Sequence, residues 1–545
     1  MRVNRNTLAI SLLAGGTLIF ETTLTRFLGV AQFYHFAFLV VSLALLGLGA
    51  SGTLLTLFPG LKTYPLSRVL QWVAISFPVT VGAAYAGVNW IPFDSYSIAW
   101  ERIQILYFGA YYLVLSLPFL VSGLGVGVAL AHEGENHHTI YGANLIGSAV
   151  GVLLTPLSQA AAGVPGAVLL SGLMALGSLF VLDIEWGGGW KALLQWSFSV
   201  GVVVFIVFTF QNARGQSAVG MNLSPYKALS RARRVPGSEL EFGAWNAVSR
   251  VDVMSGAGTR KLPGLSYQFP ENPPRQLGLS VDGGALQPIT LVDPDAFAAA
   301  KWMPEGLALD LMDSPRVVVL KPGGGLGVLQ ALAGGADQVT AVVENSLLLK
   351  ASADTSGSWN AYQLPRVKTV ITHDRTFLQQ TENTYDLVLD PLTEAFRPVT
   401  SGAFSLSEEY SMTVEAYRDM YDILDRDGIL VVTRWLQNPP SESLKAILTL
   451  FEAGQQAGIA SMSEKLVIYR GVQTMTILVR PAGWEEGALK EVRSFLESRR
   501  FDMVWAPDVV GEEVNRYNRL PEPLYYQGVK SLLESGDQKH FVNQY

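Results

Sequence analysis

At 545 residues the chain exceeds one ordinary domain, and its charge is uneven: residues 1–210 carry only 14 of the 39 basic and 46 acidic side chains. The formal net charge of −7 falls on the remainder, and no basic stripe with interleaved aromatics accompanies it, which argues against a nucleic-acid partner. With no cysteine, disulfides, thiolate nucleophiles and Cys-based zinc or iron–sulfur centres are excluded.

A hydrocarbon core needs about 20 apolar residues per helix. Seven runs meet that length, near 7–28, 35–58, 69–91, 104–131, 140–160, 164–182 and 192–210. The first continues beyond the apolar core of a signal peptide and further runs follow it, so it reads as a span. Glycines recur in the runs: Gly47, Gly49 and Gly52; Gly123, Gly125 and Gly127; Gly142, Gly147 and Gly151. Small residues let helix backbones approach closely, so a packed bundle is predicted. Glu21 and Arg26 lie within or at the end of the first run and His35 opens the second. Arg26 reads as a side chain reaching the interface, with Glu21 as its ion-pair partner or as a functional acid. His132, Glu133, Glu135, His137 and His138 read as a solvated turn rather than a metal site. Arg214, Lys227, Arg231, Arg233 and Arg234 follow the last run, which puts the C-terminal part in the cytoplasm by the positive-inside rule.

After Phe210 the periodicity changes. Residues 211–300 hold short alternating stretches, among them Ser249–Val253 and Leu277–Val281, that read as strands joined by turns. From Arg316 an α/β alternation begins. Arg316–Leu320 is a buried strand, Lys321-Pro-Gly323-Gly324-Gly325-Leu-Gly327 a glycine-rich turn, and Val328–Leu332 opens a helix. A second strand ends on Glu344, a third apolar run is followed by His373-Asp374, and a fourth ends on Asp390. A helix through Val414 and Leu424 leads to the strand Ile429–Val432. This predicts a doubly wound parallel sheet, whose ligands bind at the carboxyl ends of the strands. Gly323, Gly324, Gly325 and Gly327 let backbone approach a ligand, Glu344 is placed to accept ribose hydroxyls, Asp374 to meet an adenine amino group, and Asp390 to face the reacting end.

The chain resembles the membrane-embedded spermidine synthases (polyamine aminopropyltransferases). The resemblance is carried by Glu21…Arg26…His35, Pro118–Gly123 and Gly142–Gly147 in the helical part. In the soluble part it is carried by Ser224–Lys227, Trp245–Asp252, and Ser407–Tyr410 through Arg434-Trp435. It implies a helical membrane domain, a small β-rich segment and a Rossmann-like domain that binds S-adenosyl-methionine or its decarboxylated form, with no metal. Asp390 then matches the aspartate that accepts a proton from the attacking amine. Three departures stand out. Gly325 replaces an Asp of the glycine turn, Thr393 a second acid beyond the catalytic one, and Lys227 a glutamine after tyrosine. Val281-Asp-Gly-Gly-Ala-Leu-Gln287 echoes the family's Leu-Asp-Gly-x-x-Gln pattern loosely. Losing two acids and gaining a cation weakens the case for a doubly charged diamine.

The expected organisation is therefore a transmembrane bundle over 1–210, a β-rich segment over 211–300, the Rossmann-like domain over 301–480 and an α/β extension over 481–545. The expected function is aminopropyl or methyl transfer to an amine acceptor. The alternative is a catalytically degenerate membrane transporter or regulator that senses a nucleoside or polyamine. The expected partners are the lipid bilayer of the inner membrane, a small-molecule amine and a second copy in a homo-oligomer.

Overall fold

A computed structural model describes residues 5–33, 36–132, 137–182, 188–217, 221–256, 259, 261–392, 410–437 and 440–535. His35, Glu133, Glu135, Thr393 and Ser407–Glu409 lie outside the described residues. The chain divides into two compact units: Met1–Val235 with Leu240–Asp252 and Ser280–Gly284, and Pro236–Glu239 with Val253–Leu279 and Ala285–Tyr545.

The first unit is helical: α1 (Arg5–Ala31), α2 (Phe36–Leu57), α3 (Leu66–Trp90), α4 (Ile103–His132), α5 (His137–Val181), α6 (Gly188–Ala213) and the short α7 (Ala228–Ala232). Among the described residues six helices, α1 to α6, are long and apolar enough to cross a membrane. Seven separate runs were expected; 140–160 and 164–182 are two limbs of α5, broken at Gly163, whose φ of 68° and ψ of −175° are not helical. In a straight helix Gly147 and Met174 would stand about 40 Å apart. Yet both lie within about 3 Å of the position a Cβ on Gly15 would take, at 3.0 and 2.8 Å. The break therefore folds α5 back on itself, with both limbs against α1. α1 is the enclosed helix, with 67% of its apolar window buried, and α6 the open one, with 6%.

Steric arithmetic at the glycines explains the packing. A Cβ on Gly147 would sit 2.0 Å from the Ser11 carbonyl oxygen, and one on Gly151 2.3 Å from that of Gly15. Gly47 is also tight, at 2.6 Å from Ser116 and Phe119 of α4, whereas Gly49, Gly52 and Gly142 face open space. Small residues thus bring backbones together at particular positions, not along every glycine face.

The break at Gly163 frees carbonyl groups that a continuous helix would use. Asn212, at the end of α6, donates to the oxygens of Ala160 (3.0 Å), Ala161 (3.4 Å) and Trp245 (2.9 Å), and accepts from the Trp245 N–H (2.6 Å). Trp245 packs its ring on Gly163, where any side chain would collide at 2.6 Å. Buried polar groups need such partners.

A four-stranded sheet runs in the order β1 (Glu239–Trp245), β2 (Arg250–Ser255), β3 (Gln276–Val281), β4 (Gln287–Thr290). The second unit then contains α8 (Gly306–Asp310), β5 (Arg316–Leu320), α9 (Leu326–Ala333), β6 (Gln338–Val343), α10 (Ser346–Ser356), β7 (Val367–Ile371), α11 (Asp374–Gln380), β8 (Tyr385–Asp390), α12 (Val414–Asp422) and β9 (Leu424–Trp435). α13 (Glu442–Gln456), β10 (Leu466–Arg470), β11 (Thr474–Val479), α14 (Glu486–Arg499), β12 (Asp502–Trp505) and α15 (Leu524–Ser535) complete it. These strands form one sheet in the order β12-β10-β11-β9-β8-β5-β6-β7. β7, β6, β5, β8 and β9 are parallel, as the alternation predicts, and β11, β10 and β12 extend the sheet antiparallel. Chain order reverses between β5 and β8, which makes their carboxyl ends the switch point at which open α/β sheets bind ligands. Strands such as β5 and β6, apolar and buried on both faces, are what a helix-covered parallel sheet requires.

Candidate functional site

The site is built on the carboxyl edge of β5, β6, β7 and β8. After β5 the chain turns through Lys321 (φ 47°), Gly323 (φ 58°) and Gly325 (φ 90°) into α9. Left-handed backbone suits the two glycines, while Lys321 adopts it against the usual preference of a side-chain-bearing residue. The turn is held from two sides. The Tyr362 hydroxyl donates to the Gly323 carbonyl at 2.5 Å. A Cβ on Gly324 would lie 2.2 Å from the Pro288 carbonyl oxygen of β4. Gln287 presses on Gly323, and its buried Oε1 has no hydrogen-bond partner among the described residues. Gly327 packs on Val319 and Pro391, seating α9 on the sheet.

Glu344 follows β6 and is exposed. Asp374 opens α11 and is buried, with 1% of its side chain accessible. His373 stands between them, Nε2 3.3 Å from Glu344 Oε1 and Nδ1 2.6 Å from Asp374 Oδ1. Asp374 also accepts the Arg375 N–H at 2.8 Å and lies 3.5 Å from Lys321 Nζ. Glu344, His373 and Asp374 offer donor atoms within 4.8 Å of one another, close enough for a metal ion, where the sequence reading has none.

Asp390 ends β8. Its Oδ2 pairs with Nη2 of Arg434, a buried residue of β9 that also donates to the Tyr417 hydroxyl (3.1 Å) and the Thr433 carbonyl (2.8 Å). Burial alone would lower the Arg434 pKa; Asp390 and Tyr417 outweigh it and raise it. A cavity of about 20 Å³ joins Lys321, Asp390, Ser411, Arg434 and Glu442, room for roughly one water molecule.

The fold therefore brings Glu344 and Asp374 together through His373, and places Asp390 with Lys321 at the switch point. His373, Lys321, Arg434 and Glu442 are the polar neighbours that sequence reading missed. His373 stands beside a chosen acid and Lys321 opens the glycine turn, so proximity in sequence was a usable signal for those two. Arg434 and Glu442 reach Asp390 only through the order of the strands.

In the helical unit, Arg26 pairs with Asp282 (2.9 Å) and not with Glu21. Five residues along a helix turn a side chain about 140° away, which rules out the expected pair. Asp282 also accepts the Arg250 N–H at 2.8 Å. Lys227 donates to the carbonyls of Gly29 (3.2 Å) and Asp282 (3.0 Å). Burial, with Arg26 nearby, lowers the Lys227 amine to about 8 against the opposing pull of Asp282.

No protein-family model matches the chain, and no curated protein does. Among solved structures, a spermidine synthase in complex with the transition state analogue AdoDATO is 15% identical, covering 54% of this chain and 87% of that one, with a TM-score of 0.31. A spermidine synthase from Thermotoga maritima gives 15% identity, the same coverages and a TM-score of 0.32.

Proposed function

We propose that the α/β unit binds a nucleoside of the S-adenosyl-methionine type at the carboxyl edge of its parallel strands and transfers an aminopropyl or methyl group to an amine. The observation that carries the reading is the switch point. There Lys321, which opens the glycine turn after β5, and Asp390 at the end of β8 line one small cavity, flanked by acids after β6 and β7. The site fits such a ligand in two respects: the orphaned Gln287 Oε1 beside Gly323 calls for a donor, and Glu344 presents an exposed carboxylate where ribose hydroxyls would lie.

In the transfer, the amine lone pair attacks the carbon beside the sulfonium. A C–N bond forms, the C–S bond breaks with its electron pair passing to sulfur, and a neutral thioether leaves. The ammonium-derived proton passes to Asp390, which lines the cavity and whose Oδ2 is held by Arg434.

The helical unit belongs, in this reading, in the inner membrane with the α/β unit in the cytoplasm. Its outward surface supports this: Trp72, Val79, Leu106, Leu153 and Trp196 are each about two-thirds exposed or more, a density of apolar side chains that water does not favour.

Calorimetry on the full chain in detergent tests the proposal. Both S-adenosyl-methionine and its decarboxylated form are titrated, and at least one binds. Glu344→Ala, a change at an exposed position, and Asp374→Ala abolish the heat; Gly324→Val does so as well, by driving a side chain into β4. An unmutated protein that binds neither nucleoside ends the reading.

A second reading rests on one observation. Each acid is already engaged by a base of the same chain: Glu344 by His373, Asp374 by Lys321 and His373, Asp390 by Arg434. That suits a sensor that binds without turnover. Nucleoside binding with no transfer to putrescine or to any amine of a cell extract selects it.

A further inference from the structure

A second cavity of about 640 Å³ lies in the α/β unit, between the loop before residue 268, the β10–β11 hairpin and the segments either side of β12. It shares no lining residue with the cavity at Asp390. Its volume is within the range of small-molecule sites, about 300–1,000 Å³. Arg499, Arg500 and Arg516 line it, and no acidic residue does, in a chain whose net charge is −7.

The three arginines are not equivalent. Arg499 is committed: it donates to the Ser498 hydroxyl and the Lys301 carbonyl, and lies 3.7 Å from Asp310. The ion pair of Arg516 among the described residues is a loose one with Glu497, at 3.9 Å between two exposed side chains. Arg500 has no ion pair among the described residues. Both Arg500 and Arg516 rest on the Tyr517 ring, 5.0 and 5.1 Å from its centroid. Stacking covers the face of a guanidinium and leaves its N–H edge for an oxyanion. Asp502, which opens β12, is buried and occupied by the N–H groups of Tyr517 (2.6 Å) and Asn518 (2.7 Å) and by Arg470 (3.6 Å).

Two more observations describe the ligand. The Tyr267 ring lines the cavity and is 75% exposed, a free face for a planar ring. The Thr474 hydroxyl is buried without a hydrogen-bond partner among the described residues. It lies 2.6 Å from the position of a Cβ on Gly264 and 4.0 Å from one on Gly471, two glycines that line the cavity.

We infer that this cavity binds a nucleoside phosphate, its phosphate on the edges of Arg500 and Arg516 and its base on Tyr267. The site is independent of the one at the glycine turn. Adenosine monophosphate, adenosine and inorganic phosphate are titrated separately into the full chain by calorimetry. The monophosphate binds, more tightly than either fragment. Arg500→Ala and Arg516→Ala each weaken it at least tenfold, and Tyr267→Ala weakens the monophosphate while sparing inorganic phosphate. Glu344→Ala leaves it unchanged, which separates this cavity from the proposed S-adenosyl-methionine site. The inference is overturned if the monophosphate does not bind, if neither arginine substitution weakens it, if Tyr267→Ala has no effect on it, or if Glu344→Ala removes it. All three substituted side chains are exposed, so their removal leaves the core packing in place.

Discussion

The two units solve the same problem, bringing polar backbone close together, with opposite resources. In the helical unit charge is scarce and glycine does the work: Gly147 on Ser11 and Gly151 on Gly15 are contacts of helix backbone with helix backbone. In the α/β unit β-branched strands build the core, and charge is gathered at strand ends, where each acid meets a base. The first unit is therefore most sensitive to added volume and the second to removed charge.

The largest expected effect tests the volume side. Gly147→Leu forces side-chain atoms into the Ser11 backbone and costs more than about 4 kcal/mol, seen as loss of a cooperative thermal transition in detergent. Gly49→Leu, which faces open space, leaves that transition in place. If both variants behave alike, glycine packing is not what holds the bundle.

Next comes the charge side. Arg434→Met leaves Asp390 and the Tyr417 hydroxyl without their shared partner and costs about 3–5 kcal/mol, read from the denaturant midpoint of the α/β transition. A shift under 1 kcal/mol would show that the pair does not stabilise the strand ends.

Asn212→Ala removes the partners of Ala160 and Trp245 at the fold-back of α5. A loss of about 2 kcal/mol is expected, since buried carbonyls are left unsatisfied, together with faster proteolysis near Gly163. An unchanged digestion pattern would mean that Pro165 and Gly163 hold the turn unaided.

The last effect is electrostatic and appears only as a dependence on pH. Unfolded lysine keeps its proton to about 10.4, whereas folded Lys227 loses it near 8. Between those values unfolding takes up a proton, so stability rises with pH over that window and the folded state gains least below it. The stability of the unmutated protein minus that of Lys227→Met should therefore rise from pH 8 to pH 10. A flat difference would place the amine at its ordinary pKa.

Local pattern carried much of this molecule. Runs of about 20 apolar residues must be helical in an apolar medium, and alternating short apolar strands with helices must give a parallel sheet, because each rests on hydrogen bonding and periodicity within a few residues. Glycine at 323–325 and acids after β6, β7 and β8 were legible for the same reason. Gly163-Val-Pro165 held the signal for the fold-back, but its meaning depended on both limbs finding α1. Tertiary structure alone decided the partners: Asp282, 256 residues beyond Arg26, Arg434 on Asp390, His373 between two acids, and three arginines around a cavity far from any motif. Such pairs follow from which strand and helix ends the topology sets side by side, and no interaction between sequence neighbours encodes that.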